Sequence, residues 1–230
     1  MMQPQGPVAW HRFATLADAS EALAEAVVIR LRALLAGQGR ASLAVPGGTT
    51  PARFLADLGT RELAWEKVTL LPTDERFVAA DDAASNERMI RAQFAPLREG
   101  RVGFLSFHDR GGDIEAAAAA LSSELASLPP LDLVVSGMGT DGHIASLFPG
   151  EEDCFSAMPD SGICIAMPPG LPPRLSLSPA RLAGAGWASL LVSGAQKEAV
   201  LKAALDRLQP LPVDLLLDRP QGLDVYWAKE

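Results

Sequence analysis

Asp141 and His143 stand two positions apart in the segment Gly137-Met138-Gly139-Thr140-Asp141-Gly142-His143. A carboxylate beside an imidazole fixes the ring's tautomer and favours its protonated form, which suits a side chain that must take up and return a proton. Gly137, Gly139 and Gly142 permit backbone angles that other residues avoid, and glycines can turn N–H groups toward a ligand. A lone histidine is more often structural than catalytic. Of the 3 histidines, His11 and His108 stand in unremarkable settings, whereas the loop around His143 favours chemistry.

Three further segments could bind an anion. In Pro46-Gly47-Gly48-Thr49-Thr50-Pro51, two glycines at a strand-to-helix turn let backbone N–H groups approach a phosphate, and the hydroxyls of Thr49 and Thr50 add donors. The competing reading is a plain tight turn, with Thr50 as helix cap and Pro51 at the first helical position. The segment matches neither a Walker A loop nor G-x-G-x-x-G. Thr73-Asp74-Glu75-Arg76 follows an apolar run, so it is either a solvated loop or a strand end. As a strand end it places Asp74 and Arg76 on one side, one for sugar hydroxyls and the other for an anionic or carbonyl oxygen. Arg174 opens the run Arg174–Ser178, and Lys197 falls in the first turn of a helix. A cation there opposes the helix dipole, which makes sense if an anion docks nearby; the alternative is an exposed lysine.

The elements that must hold these residues alternate. Residues 1–10 read as a loose start. Asp18 caps a helix with Glu21 as reciprocal partner, Leu23, Val27, Leu31, Leu34 and Leu35 form its apolar face, and Gly37 closes it. Strands are expected at 42–45, 68–71, 131–136, 163–167, 174–178, 189–193 and 223–227. Helices are expected after the turn at 50–51 and at 85–94, 113–128 and 196–208. Alternating strands and helices give an α/β domain with a mainly parallel sheet and helices on both faces. The strands lack polar alternation, as when both faces are covered. Ligands of such sheets bind beyond the carboxyl ends of the strands, which is where loops 46–51, 73–76 and 137–143 fall. Residues 1–230 read as one domain; Pro168–Pro173 is a loop within it, not a linker.

Composition narrows the function. With 230 residues, 48% hydrophobic and 21% charged, the chain is ordinary for a globular protein. Its net charge of −8 and pI near 4.9 argue against a nucleic-acid surface. An anionic substrate must then be held by a few placed cations and N–H groups against the overall field. Cys154 and Cys164 fit no common zinc spacing and read as reduced thiols of a cytoplasmic protein. The first residues show no signal peptide, and no apolar run reaches the roughly 18 residues that span a bilayer. No membrane partner, metal or cofactor is expected; a monomer or small homo-oligomer is.

Taken together, the segments resemble the 6-phosphogluconolactonase family, which belongs to a wider group with glucosamine-6-phosphate deaminase. The matching stretches are Gly47–Pro51, Asp74–Val78, Ser85-Asn86, the long and highly specific Gly137–Gly150, Arg174 in its Pro-Arg-Leu-Ser-Leu-Ser setting, and Gly194–Lys197. They run in the family's order across about residues 40 to 200. The resemblance implies a Rossmann-like α/β fold of the sugar-phosphate isomerase type. It implies hydrolysis of 6-phospho-D-glucono-1,5-lactone to 6-phosphogluconate in the oxidative pentose phosphate pathway. By the same resemblance His143 is the general base with Asp141 its neighbour. Gly47, Gly48, Thr49, Thr50 and Gly139, with Arg174 and Lys197, hold the phosphorylated substrate, and Asp74 and Arg76 lie at the sugar end. The deaminases share the Asp-Gly-His-Ile-Ala stretch but continue into Asn-Glu-Pro, whose glutamate assists ring opening. Here the stretch is Ser146-Leu147-Phe148-Pro149, and Phe148 cannot transfer a proton. Phe77 stands where the lactonases often have tryptophan. The rivals are a deaminase or isomerase on the same fold, and a non-enzymatic sugar-phosphate sensor.

Overall fold

A computed structural model describes residues 6–150 and 162–230. Its main sheet holds seven strands: β1 (Val8–Phe13), β2 (Ala41–Val45), β3 (Val68–Pro72), β5 (Gly103–Phe104), β6 (Leu133–Ser136), β9 (Trp187–Ser193) and β10 (Leu223–Ala228). They lie in the order β1-β10-β9-β6-β2-β3-β5, and every neighbouring pair is parallel. A second sheet of three antiparallel strands is built from β4 (Asp74–Arg76), β7 (Ile163–Ala166) and β8 (Arg174–Leu177), in the order β4-β8-β7.

Parallel strands must be joined by crossovers, and the crossovers bury both faces of the sheet. In β6, Leu133 and Val135 point into one apolar cluster and Val134 into the other. On one face lie the helices α1 (Leu16–Gln38), α2 (Thr49–Gly59) and α3 (Asn86–Gln93), which bury Leu23, Val27, Leu31, Phe54, Leu55, Leu58 and Ile90. Each such side chain contributes about 1.5–3 kcal/mol when fully buried. A short helix α4 (Ala95–Arg98) follows. On the other face lie α5 (Ile114–Ala126), α6 (Pro179–Ala183), α7 (Ala195–Leu205), α8 (Asp214–Leu217) and the small sheet. The α/β class with helices on both faces therefore holds.

Several local expectations need correction. Residues 1–10 are not all a loose start, because β1 pairs with β10 at the sheet edge, Val8 against Leu223 through Phe13 against Ala228. Its partner lies at the other end of the chain, so no local pattern marks it. The cap of α1 is Thr15, not Asp18: its hydroxyl accepts the Asp18 N–H at 3.1 Å. That helix ends at Gly39, left-handed at φ 75, rather than at Gly37. At the start of α2 the cap is Gly48 at φ 95, so Thr50 and Pro51 lie inside the helix. By contrast Ser85 and Asp113 cap α3 and α5 through their side chains, within the expected ranges. Of the two readings open for 73–76, the strand end holds: Asp74–Arg76 is a strand, with Asp74 and Glu75 buried.

The strand order reverses between β2 and β6. From β2 the chain builds outward through β3 and β5; from β6 it builds the other way through β9 and β10. Loops leaving the carboxyl ends of two such neighbours diverge and leave a crevice, the usual ligand position in open α/β sheets.

Candidate active site

That crevice is a cavity of about 280 Å³. The turn after β2 supplies Gly47, Gly48, Thr49 and Thr50, the small sheet supplies Asp74, Arg76 and Arg174, the loop after β6 supplies Gly139 and His143, and the helix after β9 supplies Lys197. Ten of the eleven residues singled out from the sequence thus line one space. Asp141 lies behind it and touches His143. Asn86, Met138 and Ala145 also face the cavity; all three stood in recognised motifs, none with an assigned role.

His143 is held from two sides. Its Nδ1 lies 2.6 Å from Asp141 Oδ1, and the same oxygen accepts the His143 backbone N–H at 3.2 Å. The carboxylate only accepts, so Nδ1 carries the hydrogen and Nε2 keeps its lone pair. The ring centroid of Phe148 lies 4.7 Å from that of His143, and the Arg174 guanidinium sits 5.3 Å from the same phenyl centroid. Burial alone would raise the Asp141 pKa, but the backbone N–H, the charge and the ring N–H of His143 outweigh it, and the carboxyl is lowered below its ordinary value. Gly139 packs under the pair: a Cβ there would come within 2.2 Å of His143 Nδ1. The Gly139 N–H bonds to His143 O at 2.9 Å, so this residue lines the cavity without offering a free donor.

Ala145 adopts a left-handed backbone, φ 49, which costs a non-glycine residue about 1–2 kcal/mol. Next to it, Ser146 is buried and its hydroxyl reaches Asp74 Oδ2 at 2.5 Å. Loop and small sheet are thereby tied together.

Arg76 and Arg174 face each other across the β4–β8 pair. Like charges directly opposite are unfavourable. Asp74 offsets part of this, its carboxylate lying 4.0 Å from Arg174. Arg76 Nη1 donates to Ala84 O at 2.6 Å and to Asn86 Oδ1 at 2.8 Å, while its buried Nε has no hydrogen-bond partner. Asn86 Nδ2 in turn donates to Asp74 O at 2.7 Å. A Cβ on Gly47 would fall 1.8 Å from Asn86 Oδ1, so this glycine is required by close approach.

The helices α2 and α7 both begin at a glycine of positive φ, Gly48 at 95° and Gly194 at 85°, with no side-chain cap. Their free first-turn N–H groups and partial positive charge suit an anion. Lys197 lies in that first turn of α7, and burial lowers its pKa from the ordinary lysine value. Three cations, one carboxylate and two uncapped helix starts make the cavity locally electropositive in a chain of net charge −8. What the arrangement can do is hold a small anion at one end and move a proton at the other.

Among the described residues no group of three or more histidine, cysteine or acidic side chains is placed to hold a metal, and no helix is long and apolar enough to cross a membrane. Cys164 is buried; Cys154 lies outside the described residues.

Residues 14–227 match the sequence profile of the Glucosamine-6-phosphate isomerases/6-phosphogluconolactonase family. The 6-phosphogluconolactonase of Rhizobium meliloti is 39% identical over 95% of this chain and 97% of its own. That of Caulobacter vibrioides is 34% identical over 98% and 100%. The crystal structure of a 6-phosphogluconolactonase from Shewanella baltica superposes with a TM-score of 0.89 at 30% identity, covering 96% of this chain and 98% of that one. A monomeric glucosamine-6-phosphate deaminase shares the fold, with a TM-score of 0.77 at 18% identity.

Proposed function

The chain belongs to the glucosamine-6-phosphate isomerase/6-phosphogluconolactonase family, as an enzyme of its 6-phosphogluconolactonase branch, and on that footing we propose that it hydrolyses the ring ester of 6-phospho-D-glucono-1,5-lactone with His143 as general base. The observation that carries this reading is the 2.6 Å contact between His143 Nδ1 and Asp141, at the edge of an electropositive cavity. The phosphate rests against the turn Gly47–Thr50, between Arg174 and Lys197. This leaves Asp74 and Arg76 for the sugar.

His143 Nε2 takes a proton from water as the water oxygen attacks the lactone carbonyl carbon. The carbonyl oxygen becomes an oxyanion, facing the Arg76 guanidinium at the cavity wall. One such donor is worth roughly 3 kcal/mol in the transition state. The tetrahedral intermediate then collapses, the bond from carbon to ring oxygen breaks, and the imidazolium returns its proton to that oxygen. The product is an open-chain hydroxy acid, which ionises, and His143 is neutral again. Asp141 stays ionised throughout, as its lowered pKa requires. A general base of this kind contributes about 10²–10⁴-fold. The position at which a deaminase would need a proton-transferring carboxyl is Phe148, packed between His143 and Arg174.

The test is hydrolysis of freshly generated 6-phosphogluconolactone above its spontaneous rate. We expect rapid turnover that EDTA leaves unchanged, and a fall of about 10²–10⁴-fold in kcat for a folded His143→Ala variant. A variant that kept near-full turnover would remove His143 from the base role. Absence of turnover by the folded wild type would sink the lactonase reading.

A further inference from the structure

Behind the Arg76 wall of the cavity lies a second constellation that the reaction above does not use. Glu75 points away from the cavity, as strand alternation demands, and its side chain is 2% exposed. Its carboxylate gathers five donors. Oε1 accepts the backbone N–H groups of Arg76 and Asn86, each at 2.7 Å. Oε2 accepts the Glu87 N–H at 2.7 Å, the Ser85 hydroxyl at 3.1 Å and His108 Nε2 at 3.1 Å. A buried carboxylate with so many donors is a fixed point, because no rotation satisfies them all a second time.

The groups fixed by it are those the cavity needs. Asn86 and Glu87 open α3, so Glu75 anchors the N-terminus of that helix in addition to the Ser85 cap. Asn86 receives Arg76 Nη1, and the Arg76 backbone is itself bonded to Glu75. His108 completes the shell from a different segment; its side chain is 8% exposed and borders a second cavity of about 380 Å³ on the far side of Arg76. The other charges on the imidazole are the carboxylates of Glu87 and Asp109; Glu87 is itself paired with Arg91 at 2.7 Å. The carboxylates around His108 therefore favour a donating, positively charged ring, against the effect of its burial.

We propose that His108 and Glu75 are positioning residues of the active site, holding Arg76 and Asn86 in the arrangement that meets the reacting carbonyl. The inference rests on the lactonase reading, which gives Arg76 its role. Neither side chain lines the cavity, so both act through Arg76 and Asn86. A displacement of about 1 Å at an oriented group can cost up to 10²-fold in rate, and it falls on kcat when the group acts in the transition state.

The test measures kcat and KM on fresh 6-phosphogluconolactone for wild type, His108→Ala, His108→Gln and His108→Leu, each with Arg76 intact and with Arg76→Ala. We expect His108→Ala to lower kcat about tenfold with KM within about twofold. His108→Gln, whose amide N–H can still reach Glu75, should recover most of that loss. With Arg76→Ala present, His108→Ala should cost less than about twofold more, since the pair acts through Arg76. A folded His108→Ala enzyme with unchanged kcat overturns the proposal, as does an equal further loss in the Arg76→Ala background. If neither His108→Ala nor His108→Leu folds, the pair is structural and the proposal falls. Loss of wild-type turnover in the same assay would instead remove the lactonase reading beneath it.

Discussion

Lys197 carries opposed demands at one side chain. Burial disfavours its charged form and lowers its pKa from 10.5, so below that lowered value the folded chain holds a desolvated cation at a cost that fades as pH rises through it. A phosphate beside it reverses the balance, since the same desolvation strengthens the ion pair. Lys197→Met should therefore weaken substrate binding while leaving the fold as stable or more so. A lost charge-assisted hydrogen bond of about 1.5–3 kcal/mol corresponds to a rise in KM of roughly 10–100-fold with kcat nearly kept, because phosphate binding is the same in ground and transition states. Steady-state kinetics beside a thermal melt checks both halves. A destabilised variant with unchanged KM would return Lys197 to a packing role. Its unfavourable place in a first helical turn was visible in the sequence; its burial was not, because that depends on Gly194 starting α7 at φ 85.

The turn into α2 shows how one short element serves conformation and contact separately. Gly48 sits at φ 95 with open space around it, the nearest atom to a Cβ being Pro51 Cδ at 4.0 Å. Gly47 has an ordinary φ but no room beside Asn86. Gly48 pairs φ 95 with ψ 176, a combination that only glycine adopts readily, so Gly48→Ala is expected to destabilise the fold by about 1–3 kcal/mol through backbone strain. Gly47→Ala is expected to push Asn86 off Arg76, lowering kcat with a smaller change in the melt. Denaturant unfolding and kinetics on the two variants should show this crossed pattern, and equal effects on both measures would refute it. The sequence made this turn and its partners legible, because strand, glycine pair and following helix are local signals. It misplaced the cap at Thr50, since a hydroxyl in that position reads as a cap unless the glycine's φ is known. The strand end at 74–76 competed with a solvated loop for a related reason: three charged residues look solvated until Ser146 and Asn86 are seen to donate to Asp74 and His108 to Glu75.

Across the molecule, what local pattern could not show is pairing between distant segments. The first strand needs β10, and Glu75 needs His108, 33 positions away. His108 looked unremarkable because its partners belong to two other elements. This pair also gives the fold a pH signature. Burial would raise the Glu75 pKa, but His108 and three backbone N–H groups outweigh it, and the value is lowered from 4.5. The bond to Glu75 raises His108 from 6.5 against the opposing effect of burial. A depressed carboxylate contributes stability that is present above its unfolded value and lost as pH falls through its folded one. A raised imidazole contributes stability that is full below its unfolded value and lost as pH climbs through its folded one. Both contributions are complete together only between about pH 4.5 and 6.5. The difference in thermal midpoint between wild type and His108→Gln should be largest in that window and shrink toward neutral and alkaline pH, as the wild-type ring loses its charge. Melts in a series of buffers at constant ionic strength read this directly. A difference that stayed flat through the alkaline range would mean that the His108–Glu75 contact carries no charge, and that its hold on Arg76 is a neutral hydrogen bond.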